Sequence, residues 1–130
     1  AAALLPSRHG TCSPMTKRAM ATGDGDADGL SVHERFMLEA LRESERALNA
    51  KEVPVGCVFV DDGVCVAVAS NAPNITKNAT RHAEIIAIDA VLAAARRTGR
   101  LLSQEPAAIN AVFANIDVYV TIEPCVMCAA

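Results

Sequence analysis

Two short clusters carry the residues whose types and spacing can do chemistry. His82 and Glu84 flank one alanine in His-Ala-Glu, and Cys125 and Cys128 lie in Pro-Cys-Val-Met-Cys. One imidazole and two thiolates suit zinc, which with three protein ligands keeps a fourth position for water and lowers that water's pKa toward about 7. A carboxylate beside such a water can take its proton and deliver it to a ring nitrogen or a leaving amine. A structural zinc would instead be closed by a fourth protein ligand. The remaining cysteines offer none, since Cys57 and Cys65 lie in apolar runs that read as core and Cys12 lies in a polar N-terminal stretch. Three ligands and one carboxylate describe a hydrolytic metal centre.

The spacing also says how the backbone must run. Cys125 and Cys128 share one face if a helix begins there, and exposed helix N-terminal N–H groups favour the thiolate that zinc requires. Taken alone, Cys-x-x-Cys fits a redox pair or chance spacing equally well. His82 and Glu84 would be rotated by about 200° on a regular helix. They converge only if His82 stands at the very start, before the backbone becomes regular. A single histidine is more commonly a solvent-facing or capping residue, and His9 and His33 are read that way and given no role.

The elements around these clusters follow from periodicity and punctuation. Ser31 and Glu34 form a capping-box pattern, and Phe36, Met37, Ala40, Leu41 and Leu48 recur at helical spacing, predicting a helix over 32–50 with charged residues on its other face. Val53–Val60 and Val64–Ala69 flank Asp61-Asp62-Gly63 and read as a hairpin; Pro54 and Gly56 make its start irregular, as at a place of close approach. A polar loop over 70–80 leads to a helix from Arg81 or His82 to Arg97, closed by Gly99 and apolar nearly all round, hence expected to be covered on more than one side. The connection 103–115 is assigned no element and reads as an insertion. Val118–Ile122 reads as a short buried strand, and Pro124 fits the first position of a helix. Helix, strand, strand, helix, strand, helix is an α/β layered order.

Bulk properties set limits. The chain has 130 residues, 52% hydrophobic but only 3% aromatic, so its core must be built from Val, Ile, Leu and Ala. No apolar run is long enough to span a membrane, and the first residues do not make a secretory signal. Residues 1–30 are rich in Pro, Gly, Ser, Thr and Asp and read as a disordered tail. Five cysteines, two of them in a Cys-x-x-Cys pair, suit a metal site in a reducing, intracellular compartment better than a disulfide framework. A net charge of −3 argues against free-standing nucleic-acid binding, though not against a nucleic-acid substrate held with a partner's help.

His-x-Glu followed by Pro-Cys-x-x-Cys matches the signature of zinc-dependent nucleobase deaminases. The longer blocks Glu52–Val60, Asn74–Asp89 and Val118–Ala130 narrow the likeness. With the first helix included, most of residues 32–130 resembles the catalytic-subunit family (subunit 2) of the eukaryotic tRNA-specific adenosine deaminases. That resemblance implies a three-layer α/β/α cytidine-deaminase-like fold with a mixed, five-stranded central sheet. It also implies a deaminase domain over 31–130 that is incomplete at its C-terminus, lacking the last strands.

The implied reaction is hydrolytic conversion of adenosine to inosine at the wobble position of tRNA anticodons, with one Zn2+ per chain and a zinc-activated water. By the same resemblance His82, Cys125 and Cys128 are the metal ligands and Glu84 is the proton shuttle. Asn71 would hydrogen-bond the flipped base, the backbone N–H of Ala83 would face the developing oxygen or amine, and Val55 would wall the pocket. On chemistry alone Asn71 fits an ordinary loop asparagine and Val55 a core strand residue equally well. The implied partner is a catalytically inactive deaminase-like subunit (subunit 3) in a heterodimer, located in the cytoplasm or nucleus. Two other readings stay open: deamination of a free base or nucleoside, or a non-catalytic, zinc-stabilised assembly subunit.

Overall fold

A computed structural model describes residues 29–130; the tail, Cys12 and His9 lie almost entirely or wholly outside them. Helix α1 (Val32–Asn49) starts where expected. Ser31 Oγ accepts the N–H of Glu34, and the Glu34 carboxylate accepts the N–H of Ser31 at 2.7 Å, completing a capping box. The buried face differs from the expected one. It is Phe36, Glu39, Ala40, Glu43, Ser44 and Ala47, whereas Leu41 and Leu48 are exposed. Positions 36, 40, 43 and 47 follow the 4-3-4 spacing of one helical stripe, and two glutamates lie within it.

Strand β1 (Gly56–Asp61) and strand β2 (Val64–Ser70) form the hairpin. Asp62 and Gly63 both take positive φ, 50° and 77°, which matches a turn with the twist of paired strands. Between Phe59 and Val60 the register slips, so that Phe59 faces Ala67 and Val60 faces Cys65. Val66 is the extra residue of this bulge, and Cys65 is thereby turned to the opposite face from Ala67.

Short helix α2 (Pro73–Thr76) interrupts the expected polar loop, and helix α3 (Ala83–Arg97) follows. Gly99, with φ of 73°, closes α3 as expected. Helix α4 (Pro106–Phe113) occupies the 103–115 connection. Strand β3 (Ile116–Val120) lies two residues earlier than predicted, and helix α5 (Val126–Ala129) comes last. Pro124 stands just outside α5, because Cys125 is its N-cap, so it does not fill the first helical position.

The sheet order is β2-β1-β3 and both pairings are antiparallel. Three antiparallel strands are present among the described residues, in keeping with a family sheet expected to lack its last strands here. β3 is an edge strand with Val118 exposed, not the buried strand expected. Alternation along β1 creates the layers. Val58 and Val60 pack with Phe36, Ala40, Cys65 and Val68 on the α1 face. Cys57 and Phe59 pack with Ala67, Ala69, Ala83, Ile86 and Val91 on the α3 face. A sheet covered by helices on both faces is the three-layer α/β/α arrangement. Close approach at Gly56 does occur, but to α1: a Cβ there would lie 2.2 Å from the Ala40 carbonyl oxygen.

Candidate metal centre and deamination site

His82 is the N-cap of α3, with extended backbone at φ −70°, ψ 156°. This is the irregular start that His82 and Glu84 need in order to converge. Its ring does not cap the helix. The orphan N–H of Ala83 is satisfied from across the sheet end, by Asn71 Oδ1 at 2.9 Å. Asn71 thus caps α3 in place of the N-cap's own side chain and leaves the imidazole free to face elsewhere.

It faces the two cysteines. Cys125, also an N-cap in extended conformation, is placed by the end of β3, where Thr121 N–H donates to the Gly56 carbonyl and Gly56 N–H to Thr121 Oγ1. His82 Nδ1 lies 3.6 Å from Cys125 Sγ and 3.6 Å from Cys128 Sγ, and the two sulfurs are 3.6 Å apart. Zn–S bonds of about 2.3 Å and a Zn–N bond of about 2.0 Å at tetrahedral angles give edges of about 3.8 Å between sulfurs and about 3.5 Å from sulfur to nitrogen. The triangle therefore has the dimensions of three corners of a zinc tetrahedron, in softness and in size. Among the described residues, only these three are grouped as a potential metal site.

Charge at the site is set by burial and by the helix start. Burial, then the Cys125 thiol, then the charge of Glu84 push the Cys128 thiol up to about 12, while the Cys128 backbone N–H first, and its thiol next, hold exposed Cys125 below the usual thiol range. Ionising both thiols beside a buried carboxylate would concentrate negative charge, which a dication relieves. Glu84 is 6% exposed in the first turn of α3 and lies on the same cleft as Cys128. That cleft, of about 280 Å³, is also lined by Phe59, Phe113, Val118 and Pro124.

The structure brings the remaining sequence-predicted residues into the same place. Val55 is half-buried against the α3-side core, and its carbonyl accepts the Asn71 N–H at 3.0 Å. Asn71 is buried and Ala83 wholly so. One expectation changes: the Ala83 N–H, expected to face a developing oxygen or amine, is donated to Asn71. Sequence reasoning missed Glu52, which is buried and accepts two backbone N–H groups from α2. No local pattern could reveal it, because its partners lie more than twenty residues away.

Residues 30–130 match the family described as the cytidine and deoxycytidylate deaminase zinc-binding region. The chain belongs to this family. The tRNA-specific adenosine deaminase 2 of Xenopus tropicalis is 45% identical over 96 residues, 74% of this chain and 52% of that protein. A solved structure from work on A-to-I editing by tRNA:A34 deaminases at the wobble position is 35% identical, with a TM-score of 0.59 over 76% of this chain and 66% of that one. The guanine deaminase of Bacillus subtilis is 26% identical, with a TM-score of 0.53 over 75% of this chain and 54% of that one. The chain spans about half the length of the curated relatives it matches. Zinc is the metal of the family, and the donor set found here fits it. No described helix is long and apolar enough to cross a membrane.

Proposed function

We propose that the protein is a zinc-dependent tRNA adenosine deaminase, converting adenosine to inosine at the wobble position of tRNA anticodons. The observation that carries this reading is buried Glu84 beside a three-cornered His82, Cys125 and Cys128 donor set. His82, Cys125 and Cys128 hold the metal. When bound, zinc supplies a Lewis acid that makes water a competent nucleophile at neutral pH. Glu84 would carry the first proton of the attacking water to the ring nitrogen and the second, from the hydroxyl formed at C6, to the departing amine, so that ammonia leaves. Asn71 orients the base through its amide nitrogen, since its oxygen is committed to Ala83. Val55 and Ala83 form the pocket wall, with Ala83 contributing shape and not a hydrogen bond.

The choice of tRNA adenosine over a free base rests on the identity to tRNA-specific adenosine deaminases, which exceeds that to guanine deaminase. Assembly with a catalytically inactive deaminase-like subunit is the second part of the proposal. Ile85, Ile88 and Leu92 on α3 each keep part of their surface exposed, which supports a partner over that helix. An intracellular location, in cytoplasm or nucleus, goes with a tRNA substrate.

The test is incubation of the protein, alone and with such a subunit, with tRNA, adenosine, cytidine and guanine. Inosine in tRNA alone is expected. Turnover of a free base instead would favour the guanine-deaminase-like reading. Glu84→Ala should lower turnover about 10²- to 10⁴-fold while zinc stays near one per chain. Activity of the reconstituted pair surviving that change would leave this chain a non-catalytic zinc-stabilised subunit.

A further inference from the structure

We propose that Glu52 is a positioning residue for the deamination site: its carboxylate holds the segment Asn71–Ile75 so that Asn71 reaches the substrate and helix α3 together. The proposal rests on the reading of Asn71 as a base-orienting residue given above.

Glu52 is 5% exposed, and both carboxylate oxygens are in use. Oε1 accepts the Ile75 N–H at 2.7 Å, and Oε2 accepts the Asn74 N–H at 3.1 Å. These are orphan donors of α2, whose N-cap, Ala72, has no side chain able to serve them. A four-residue helix does not stand by itself in water. Glu52 therefore supplies from a distant element the cap that α2 lacks. Among the described residues no cationic side chain pairs with this carboxylate. Among the described residues the N–H groups of Asn74 and Ile75 are what this carboxylate holds, and it fixes their place closely.

Glu52 is itself fastened. Its N–H donates to the Ala47 carbonyl at 2.9 Å, and Lys51, at φ of 60°, turns the chain out of α1. The Val55 carbonyl takes the Asn71 N–H three residues later. The links run in series from the end of α1 through Glu52 to α2, from there to Asn71, and through Asn71 Oδ1 to Ala83, between His82 and Glu84. A shift of α2 is passed to Asn71, and an ångström of misplacement at an orienting group costs about a hundredfold in rate.

The test is a double-mutant cycle of Glu52→Ala and Asn71→Ala in the zinc-loaded protein, assayed on tRNA, with Glu52→Gln as a graded variant. Amide exchange at Asn74 and Ile75 and zinc content are followed alongside. Glu52→Ala should lower zinc-normalised kcat about 10- to 100-fold, change the KM for tRNA little, leave zinc near one per chain and speed exchange at both amides. Glu52→Gln, with one acceptor oxygen left, should fall between. In the Asn71→Ala background, Glu52→Ala should cost no more than about a further twofold, because the two act through one another. Additive losses, or a loss that follows zinc content, or a Glu52→Ala protein within about twofold of wild type, overturn the proposal. Wild-type protein that turns over no tRNA, alone or with the partner subunit, refutes the proposed function and this proposal together; the other outcomes refute this one alone.

Discussion

Gly56→Ala should unfold the protein at a much lower temperature, for a reason that can be worked from distances. The added Cβ would lie 2.2 Å from the Ala40 oxygen, 2.4 Å from the Ser44 nitrogen and 2.7 Å from Glu43 Cβ. Two of these atoms are helix backbone and cannot rotate aside, so α1 must move off the sheet. Over-packing of a core generally costs about 1–3 kcal/mol, and backbone collision places this case at or above about 3 kcal/mol. At about 4–8 °C per kcal/mol for a domain of this size, Tm should fall by more than about 12 °C. Gly99→Ala is the matched comparison. A Cβ there meets nothing within 4 Å, and only its φ of 73° opposes it, at about 1–2 kcal/mol. Thermal unfolding followed by circular dichroism and calorimetry measures both. A Gly56→Ala variant no less stable than Gly99→Ala would refute the packing argument.

The other predictions concern buried polar groups. Asn71→Ala strands the Ala83 N–H at the start of α3 and should cost about 1–2 kcal/mol in urea unfolding. Asn71→Asp keeps the acceptor and should stay within about 1 kcal/mol of wild type, yet lose turnover because the amide donor is gone; equal stability of the two variants would contradict the capping role. Burial raises the Glu43 carboxyl pKa, which the Arg46 guanidinium beside it opposes and the Glu39 charge reinforces. A raised folded-state pKa contributes stability that is fully present below the unfolded value, near 4.5, and is lost as pH rises through the folded one. Glu43→Gln should therefore flatten the fall in stability above about pH 4.5; an unchanged slope in denaturant unfolding between pH 4 and 7 would rule this out.

Local signals read well where structure is locally determined. The Ser31 and Glu34 box, the Asp62-Gly63 turn and the Gly99 stop are each built from neighbours in the chain, and all stand where the sequence places them. His82 at an irregular helix start followed from helix geometry alone. Features with distant causes were not legible. α2 exists because of Glu52, and Asn71 caps α3 across the end of the sheet. Glu39 and Glu43 were assigned to the solvent face by their charge, yet lie in the buried stripe that passes over Gly56. Helix α4 did leave a trace, Pro106 at its first turn with Ala108, Ile109, Val112 and Phe113 at helical spacing. Beyond Val120 the Gly56 N–H goes to the Thr121 hydroxyl and not to a backbone carbonyl, a substitution that no strand propensity indicates.

Zinc K-edge X-ray absorption on the purified protein, paired with zinc content of the Glu84→Ala, His82→Ala and Cys128→Ser variants, tests the central claim most directly. One zinc per chain is expected, with two sulfurs at about 2.3 Å and two lighter atoms at about 2.0 Å. Zinc should be retained in Glu84→Ala and lost or greatly weakened in the other two. A shell of three or four sulfurs, or zinc that leaves with Glu84 and stays without His82, would contradict it.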